Sequence, residues 1–474
     1  MPDPLELRDE LGAALELVAR EASAYATSVA DVPVLDAAAT DELASWDPSL
    51  PEDGDGAVRA LTELLERSIP AATRSSGPRF FHFVMGGATP AALGADWLTS
   101  ALDQVAFGWA SSPLAARLEA VATRWLRELF ELPTEFTGVL VTGATMANLT
   151  GLIAARNWWG EQLGFDSEAA GLAGAPQPTI LTSGYIHPSA VQAIGMLGLG
   201  RNNIRRLARD EAGRLDLDAF DAALDDAGER PVIVVANAGE VIAGDFDPLA
   251  DIARRTRERA AWLHVDGAFG LFARLAPGSR HLTEGIEHAD SIAADAHKWL
   301  NVPYDCGFAF VREPARLARA LNVGAPYLPA PDDPRPNPGF LTPENSRRAR
   351  ALAVWATLRA YGRAGHRAMV ERHLQLAQHL AARVDAAPEL ERLAEVQLNI
   401  VCFRARPDGV ADEDLDDLNR DLGERLLRDG RVFAGTTIYE GNVALRPAIV
   451  NWQTAEADVE MLIEVVLELL AERG

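Results

Sequence analysis

One of the chain's 44 lysines and arginines is a lysine, Lys298. Arginine can coat a surface and pair with carboxylates, but its guanidinium does not deprotonate in proteins and so never offers a neutral amine. A chain that writes arginine nearly everywhere and lysine once points to a task that needs a primary amine, with Schiff-base chemistry as the leading candidate. Survival of one lysine in a biased composition is the plainer alternative. Cysteine is also scarce. Cys306 and Cys402 form neither a metal-ligand spacing nor a disulfide framework, as expected in a reducing cytoplasm. No basic excess exists: the formal charge is −25, which argues against a nucleic-acid partner. No apolar run is long enough to span a bilayer, and the residues after Met1 do not resemble a signal peptide.

What is present is ordinary soluble-enzyme material, 474 residues with 48% hydrophobic and 24% charged. Amphipathic helices are expected over about 5–30 and 56–68, and a strong helix over about 114–132. Short apolar runs then alternate with helix-length segments, at 138–142, 179–182, 231–236, 261–265, 291–294 and 307–311. That alternation predicts an α/β unit with a mostly parallel sheet. A proline-heavy loop occupies 324–343, and a long helical region follows from 346 to 386. Strands at 398–404, 432–438 and 443–450, with helices at 412–428 and 455–470, predict a second, smaller α/β domain. The expected organisation is a helical segment over 1–77, a large domain over 78–345 and a small domain over 346–474.

Open α/β sheets bind ligands at the carboxyl ends of their strands, and several runs end in reactive residues. The run to Thr142 enters Gly143-Ala144-Thr145, small residues that expose N–H groups at a helix N-terminus and suit a phosphate. The run ending in Asp266, within His264-Val265-Asp266-Gly267-Ala268, offers a carboxylate to a protonated pyridine nitrogen. A helix cap or structural ion pair serves equally well for Asp266 taken alone. The next run ends in Asp295-Ala296-His297-Lys298, and His187 opens a helix after another strand. Singly these are weak signals; with the only lysine among them they describe a pyridoxal phosphate site.

These residues resemble the group II pyridoxal-phosphate-dependent amino acid decarboxylases, the family of aromatic amino acid, glutamate and histidine decarboxylases. The most specific stretch is 294–307, with Lys298, and the likeness runs from about residue 75 to the C-terminus. It implies a fold type I enzyme: a large domain built on a mostly parallel seven-stranded sheet, a smaller C-terminal α/β domain and an N-terminal helical segment. It also implies a homodimer with active sites at the interface and N-terminal helices packing on the partner. By the same resemblance pyridoxal 5'-phosphate is the cofactor and Lys298 its aldimine lysine. Asp266 partners the pyridinium, Ala268 packs on the ring, and His187 stacks on it and orients the substrate carboxylate. Ala144, Thr145, Asp295 and His297 complete the cofactor site. The implied reaction is decarboxylation of an L-amino acid to the amine and CO2 in the cytoplasm, without membrane or nucleic acid.

Three departures stand out. Asp295 occupies a position where many members carry asparagine, and Glu240-Val241 replaces paired threonines after Gly239. The third lies in the proline loop, where relatives place a late tyrosine that protonates the carbanionic carbon. Here the stretch reads Asn337-Pro338-Gly339-Phe340-Leu341, with Tyr327 earlier in the loop and Tyr304 near the lysine. Members with phenylalanine there tend toward aldehyde, ammonia and peroxide, so an aldehyde synthase is the alternative reading. An aminotransferase or a non-catalytic cofactor-binding relative is weaker. Phe81, Phe83, Phe107 and Trp109 are candidates for an apolar substrate pocket favouring an aromatic or bulky side chain. Glu240 and Tyr327 are further substrate-site candidates, and Arg446 reads as structural.

Overall fold

The computed structural model describes residues 4–210, 213–322, 330 and 333–472. The central sheet has seven strands: β1 (Thr137–Val141), β2 (Thr179–Thr182), β3 (Ile204–Arg206), β4 (Val232–Asn237), β5 (Ala261–Asp266), β6 (Ser291–Asp295) and β7 (Gly307–Val311). Their order is β1-β7-β6-β5-β4-β2-β3. Only β7 runs against its neighbours, pairing antiparallel with both β1 and β6. The expected mostly parallel seven-stranded sheet is therefore what the chain forms. β4, β6 and β7 are buried along their whole length, as strands covered on both faces should be. β3 was not anticipated, because an isolated Ile204 followed by two exposed arginines carries no strand periodicity.

Helices cover the sheet. The helix Ala144–Gln162 buries thirteen of its nineteen residues. Its Leu149, Leu152 and Ile153 share a core cluster with Ile180, Ile233, Val235 and Trp262 from β2, β4 and β5. An all-round buried helix shows no polar face, and this one meets the sheet along most of its length.

The chain divides into two compact units. One comprises residues 86–378 and 394–402 and carries the seven-stranded sheet. The other comprises 1–85, 379–393 and 403–474. The latter holds an antiparallel sheet of β8 (Leu390–Arg392), β9 (Phe403–Ala405), β10 (Thr436–Tyr439) and β11 (Asn442–Leu445), ordered β10-β11-β9-β8. Its helices include Leu11–Ser28, Ala57–Ala71, Leu415–Asp429 and Glu456–Ala471.

This division differs from boundaries at 77 and 345. The N-terminal residues group with the C-terminal ones because main chain ties them: Val34 N–H donates to Gly430 O at 2.7 Å. Beyond residue 77, the Arg79 side chain holds the N-terminal segment by donating to Ala30 O and Val32 O at 2.8 and 2.6 Å. Residues 346–378 group with the large sheet, where Ala349 and Leu352 pack with Ala106 and Ala115. The long helical region forms Ala351–Ala386, broken at Gly362, whose φ of 57° is left-handed. The strand expected at 398–404 is confined to Phe403–Ala405.

Candidate active site

Parallel register brings the reactive strand ends together. Asn237 at the end of β4 sits opposite Asp266 at the end of β5, and Asp266 opposite Ala293 in β6. β6 ends two residues later at Asp295, and Lys298 follows in the next turn. All of these belong to the large-sheet unit.

Asp295 organises the lysine turn. One carboxylate oxygen lies 3.0 Å from Lys298 Nζ. The other lies 3.2 Å from His297 Nε2 and accepts the Ala144 N–H at 2.5 Å. His297 Nδ1 accepts the Cys306 N–H at 3.1 Å, so the ring proton must sit on Nε2, facing Asp295. Burial opposes the charge of Asp295, but the Lys298 ammonium and His297 outweigh it and hold the carboxyl well below the usual carboxylate range. The Tyr304 ring stacks on His297 with centroids 4.0 Å apart. Gly307 opens β7 where it passes the turn after β1: a Cβ there would stand 2.6 Å from the Cα and carbonyl carbon of Gly143.

Asp266 is held from two sides. Asn148 Nδ2 donates to one oxygen at 2.9 Å and the Ala268 N–H to the other at 3.1 Å. Asn148 lies one helical turn beyond Ala144, so the first turn of a single helix touches both Asp295 and Asp266. Behind Asn148, its Oδ1 lies 2.8 Å from His264 Nε2, and His264 Nδ1 lies 2.8 Å from Ser291 Oγ. Asn148 Nδ2 also reaches Ser189 Oγ at 3.2 Å, and Ser189 Oγ lies 2.7 Å from Nδ1 of His187. His187 N-caps the helix Pro188–Met196 by accepting the Ser189 N–H.

The other expected residues have varied placements. Thr145 is exposed on the first turn of its helix. The Phe107 ring meets Phe340 edge-on at 5.5 Å, and Phe107 O accepts the Gly339 N–H at 2.7 Å. Phe107 thus anchors the late part of the proline loop, with Phe340 buried against it. Glu240 turns into its own loop: its carboxylate accepts the N–H groups of Ile242 (2.7 Å), Ala243 and Gly244 (3.0 Å). Phe81 and Phe83 belong to the other unit, Phe81 buried and Phe83 exposed against His82. Arg446 is buried in that unit as well. Tyr327 lies outside the described residues.

Asn148, Ser189, His264 and Ser291 went unassigned in sequence. Asn148 there matches only a glycosylation sequon. The available signal for Asn148 was an amide in the apolar first half of a helix that follows a strand, where burial demands partners.

The donor set fits pyridoxal 5'-phosphate. A primary amine, an acceptor-only carboxylate with its donors in place, and a helix N-terminus stand on one sheet edge. Gly143 leaves open a cradle in which a Cβ would come within 3.0 Å of His297 Cε1.

Residues 41–406 match the model of the pyridoxal-dependent decarboxylase conserved domain. The chain is 29% identical over 430 residues to an aromatic-L-amino-acid decarboxylase of Bacillus atrophaeus, covering 89% of this chain and 87% of the relative. It is 26% identical to a phenylacetaldehyde synthase of Arabidopsis thaliana, covering 94% and 92%. The crystal structure of Oryza sativa TDC with PLP and tryptamine superposes with a TM-score of 0.89 at 28% identity, covering 100% of both chains.

Proposed function

The chain belongs to the pyridoxal-dependent decarboxylase family, and from that premise we propose that it converts an aromatic L-amino acid to the amine and CO2. The observation that carries this reading is Lys298. The only lysine of the sequence stands one strand over from Asp266, with Nζ 3.0 Å from a buried carboxylate. When bound, pyridoxal 5'-phosphate supplies an aldehyde and an electron-withdrawing ring that accepts the electron pair left by the departing CO2.

The chain's own residues do the rest. Lys298 offers the amine that holds the aldehyde carbon. Asp266 holds a proton at the ring nitrogen, since a carboxylate whose donors are already placed can only accept there. The helix opened by Ala144 and Thr145 offers its dipole and the Thr145 N–H to the phosphate, while the Ala144 N–H is given to Asp295, which fixes the start of that turn. His297 flanks that turn, Ala268 packs on the ring, and His187 serves the ring face and the substrate carboxylate. Asp295 pairs with the lysine ammonium and fixes the His297 proton.

We assign a homodimer with sites at the interface and residues 1–77 packing on the partner. Trp97, Leu98, Leu102 and Val105, exposed apolar residues on and just after the helix Pro90–Leu102, support it. A cytoplasmic setting is supported by two buried, free cysteines. Among the described residues no helix is long and apolar enough to cross a membrane.

A second reading has its own observation. Phe340, late in the proline loop, is packed on Phe107 and carries no hydroxyl to protonate the carbon that loses CO2. Dioxygen then becomes the oxidant: amino acid, O2 and water give aldehyde, CO2, ammonia and hydrogen peroxide. Aerobic incubation of the cofactor-loaded enzyme with a panel of L-amino acids separates the two. Amine with stoichiometric CO2 and no peroxide supports decarboxylation alone. Aldehyde with O2 uptake and peroxide supports the second reading, and no CO2 from any amino acid overturns both.

A further inference from the structure

Behind Asp266 runs a hydrogen-bond chain whose direction is fixed from the carboxylate. At its far end Trp262 Nε1–H, a donor only, reaches Ser291 Oγ at 3.0 Å. Ser291 accepts there and keeps its own proton for His264 Nδ1, 2.8 Å away. At the other end the Asp266 carboxylate only accepts, so the Asn148 amide must face it with nitrogen, 2.9 Å away. That turns the amide oxygen to His264 Nε2 at 2.8 Å and requires the imidazole proton on Nε2. The Asp266 end thus assigns the His264 tautomer and leaves Nδ1 to accept the Ser291 hydroxyl proton. Burial keeps the ring neutral, lowering its pKa to about 4 despite the nearby Asp266 charge. Asn148, His264 and Ser291 are wholly buried, so no water competes for these bonds.

The second hydrogen of the Asn148 amide goes to Ser189 Oγ at 3.2 Å. The Ser189 N–H donates to His187 Nδ1 at 3.2 Å, which leaves the His187 proton on Nε2, so the Ser189 hydroxyl, 2.7 Å away, can only donate to the same atom.

We propose that Asn148 and His264 are positioning residues: His264 locks the Asn148 amide so that one of its hydrogens aims Asp266 while the other reaches Ser189, beside His187. The inference rests on the reading of Asp266 as the ring-nitrogen partner. It links the electron-sink side of the site to the His187 side through one buried amide. It also gives the histidine of the His264-Val265-Asp266 stretch a task, as the donor that prevents the amide from flipping. A flipped amide would set its oxygen against the Asp266 carboxylate.

The test uses the full-length protein with ring-¹⁵N-labelled pyridoxal phosphate, in wild type and in Asn148→Leu, His264→Phe and His264→Gln variants. The readouts are the ring ¹⁵N chemical shift by solid-state NMR and cofactor affinity by equilibrium dialysis. Loss of a hydrogen bond to a buried charged group is expected to weaken cofactor binding about tenfold to a hundredfold in Asn148→Leu and His264→Phe. Their ¹⁵N shift moves from the protonated toward the neutral position, because a carboxylate stripped of a donor holds the proton more strongly itself. His264→Gln retains an amide donor for Asn148 and restores both readouts to within about threefold of wild type. Should Asn148→Leu not fold by circular dichroism, the His264 pair carries the comparison. Unchanged shift and affinity in His264→Phe overturn the proposal, as does a Gln variant as impaired as the Phe variant, which marks a packing role. Borohydride reduction of wild type is the separate control: if no cofactor becomes fixed to Lys298, the functional reading fails first and the proposal with it.

Discussion

Replacing Gly307 by alanine tests whether the turn after β1 is positioned by close approach of backbone to backbone. Gly307 is in register with Val141 on one side and Asp295 on the other, so the sheet holds it firmly. A Cβ there would stand 2.6 Å from two carbons of Gly143 and 3.0 Å from its nitrogen. Ordinary carbon contacts begin near 3.4 Å, so relief requires a displacement of about 0.8 Å. The freer party is the turn, which leads into the helix whose first N–H donates to Asp295. Overpacking of this kind costs about 1–3 kcal/mol of stability, a fall of a few degrees in Tm for a large domain. The effect on cofactor binding is larger in proportion. Misaligning one or two N–H groups aimed at a phosphate forfeits about 1.5–3 kcal/mol each, or tenfold to more than a hundredfold in Kd. The assay is equilibrium dialysis of pyridoxal phosphate beside a thermal melt of the same samples. A lower Tm with unchanged cofactor affinity would refute the reasoning, because the turn would then not be part of the phosphate cradle.

Lys298→Arg preserves a cation for Asp295 but has no neutral amine. It is expected to fold, to abolish turnover, and to leave cofactor that borohydride cannot fix to the chain, as mass spectrometry checks. Asp266→Ala should lower kcat by about a hundredfold or more and weaken cofactor binding far less, since the 143–145 turn stays intact; kcat measured against Kd decides it. Asp245 is buried beside Glu240 with Arg209 3.6 Å away, and burial, then Glu240, push its carboxyl up to about 7. The folded state thus binds a proton that the unfolded chain releases near pH 4, so this group's contribution to stability is full below about pH 4 and is lost as pH rises through 7. Asp245→Asn should match wild type near pH 3, exceed it by about 1–2 kcal/mol at pH 5 and by roughly 2–4 kcal/mol at pH 8. Equal Tm-against-pH curves for the two proteins would contradict that.

The elements that a one-dimensional pattern can encode were legible. β2 and β7 occur where apolar runs place them, and the other strands of the large sheet except β3 lie within a residue. β3 and β8 had no expected counterpart, and β9, β10 and β11 are shorter than the runs at 398–404, 432–438 and 443–450, ending or starting several residues away. The reactive residues were legible too, because strand ends converge on one edge in any parallel sheet and Lys298 has no competitor in composition. What did not show was the support behind them. Asn148, Ser189, His264 and Ser291 come from four segments up to 143 positions apart, and nothing local marks a hydrogen bond between them. The division into two compact units was not visible for the same reason: the bond from Val34 to Gly430 joins ends of the chain that no window spans.

Glu240 shows why a visible departure need not reveal its role. A carboxylate in place of a threonine suggests a changed substrate preference. Its oxygens instead accept three N–H groups of residues 242–244, a structural task that a single hydroxyl could not match. That arrangement sets a buried carboxylate close to Asp245 and Asp247, with Arg209 as the cation acting on both Glu240 and Asp245. Asp247 has four donors of its own, from Asn237 N and Nδ2, Ser183 and Leu215, and can bear its charge there. Burial and then the Glu240 charge push Asp245 up to about 7, and burial raises Glu240 itself. Glu240 thereby contributes to a pH-dependent stability. Glu240→Gln should accordingly lower the Asp245 pKa and flatten the stability profile while leaving the ranking of amino acid substrates unchanged; a reordered ranking would restore the carboxylate to the active site.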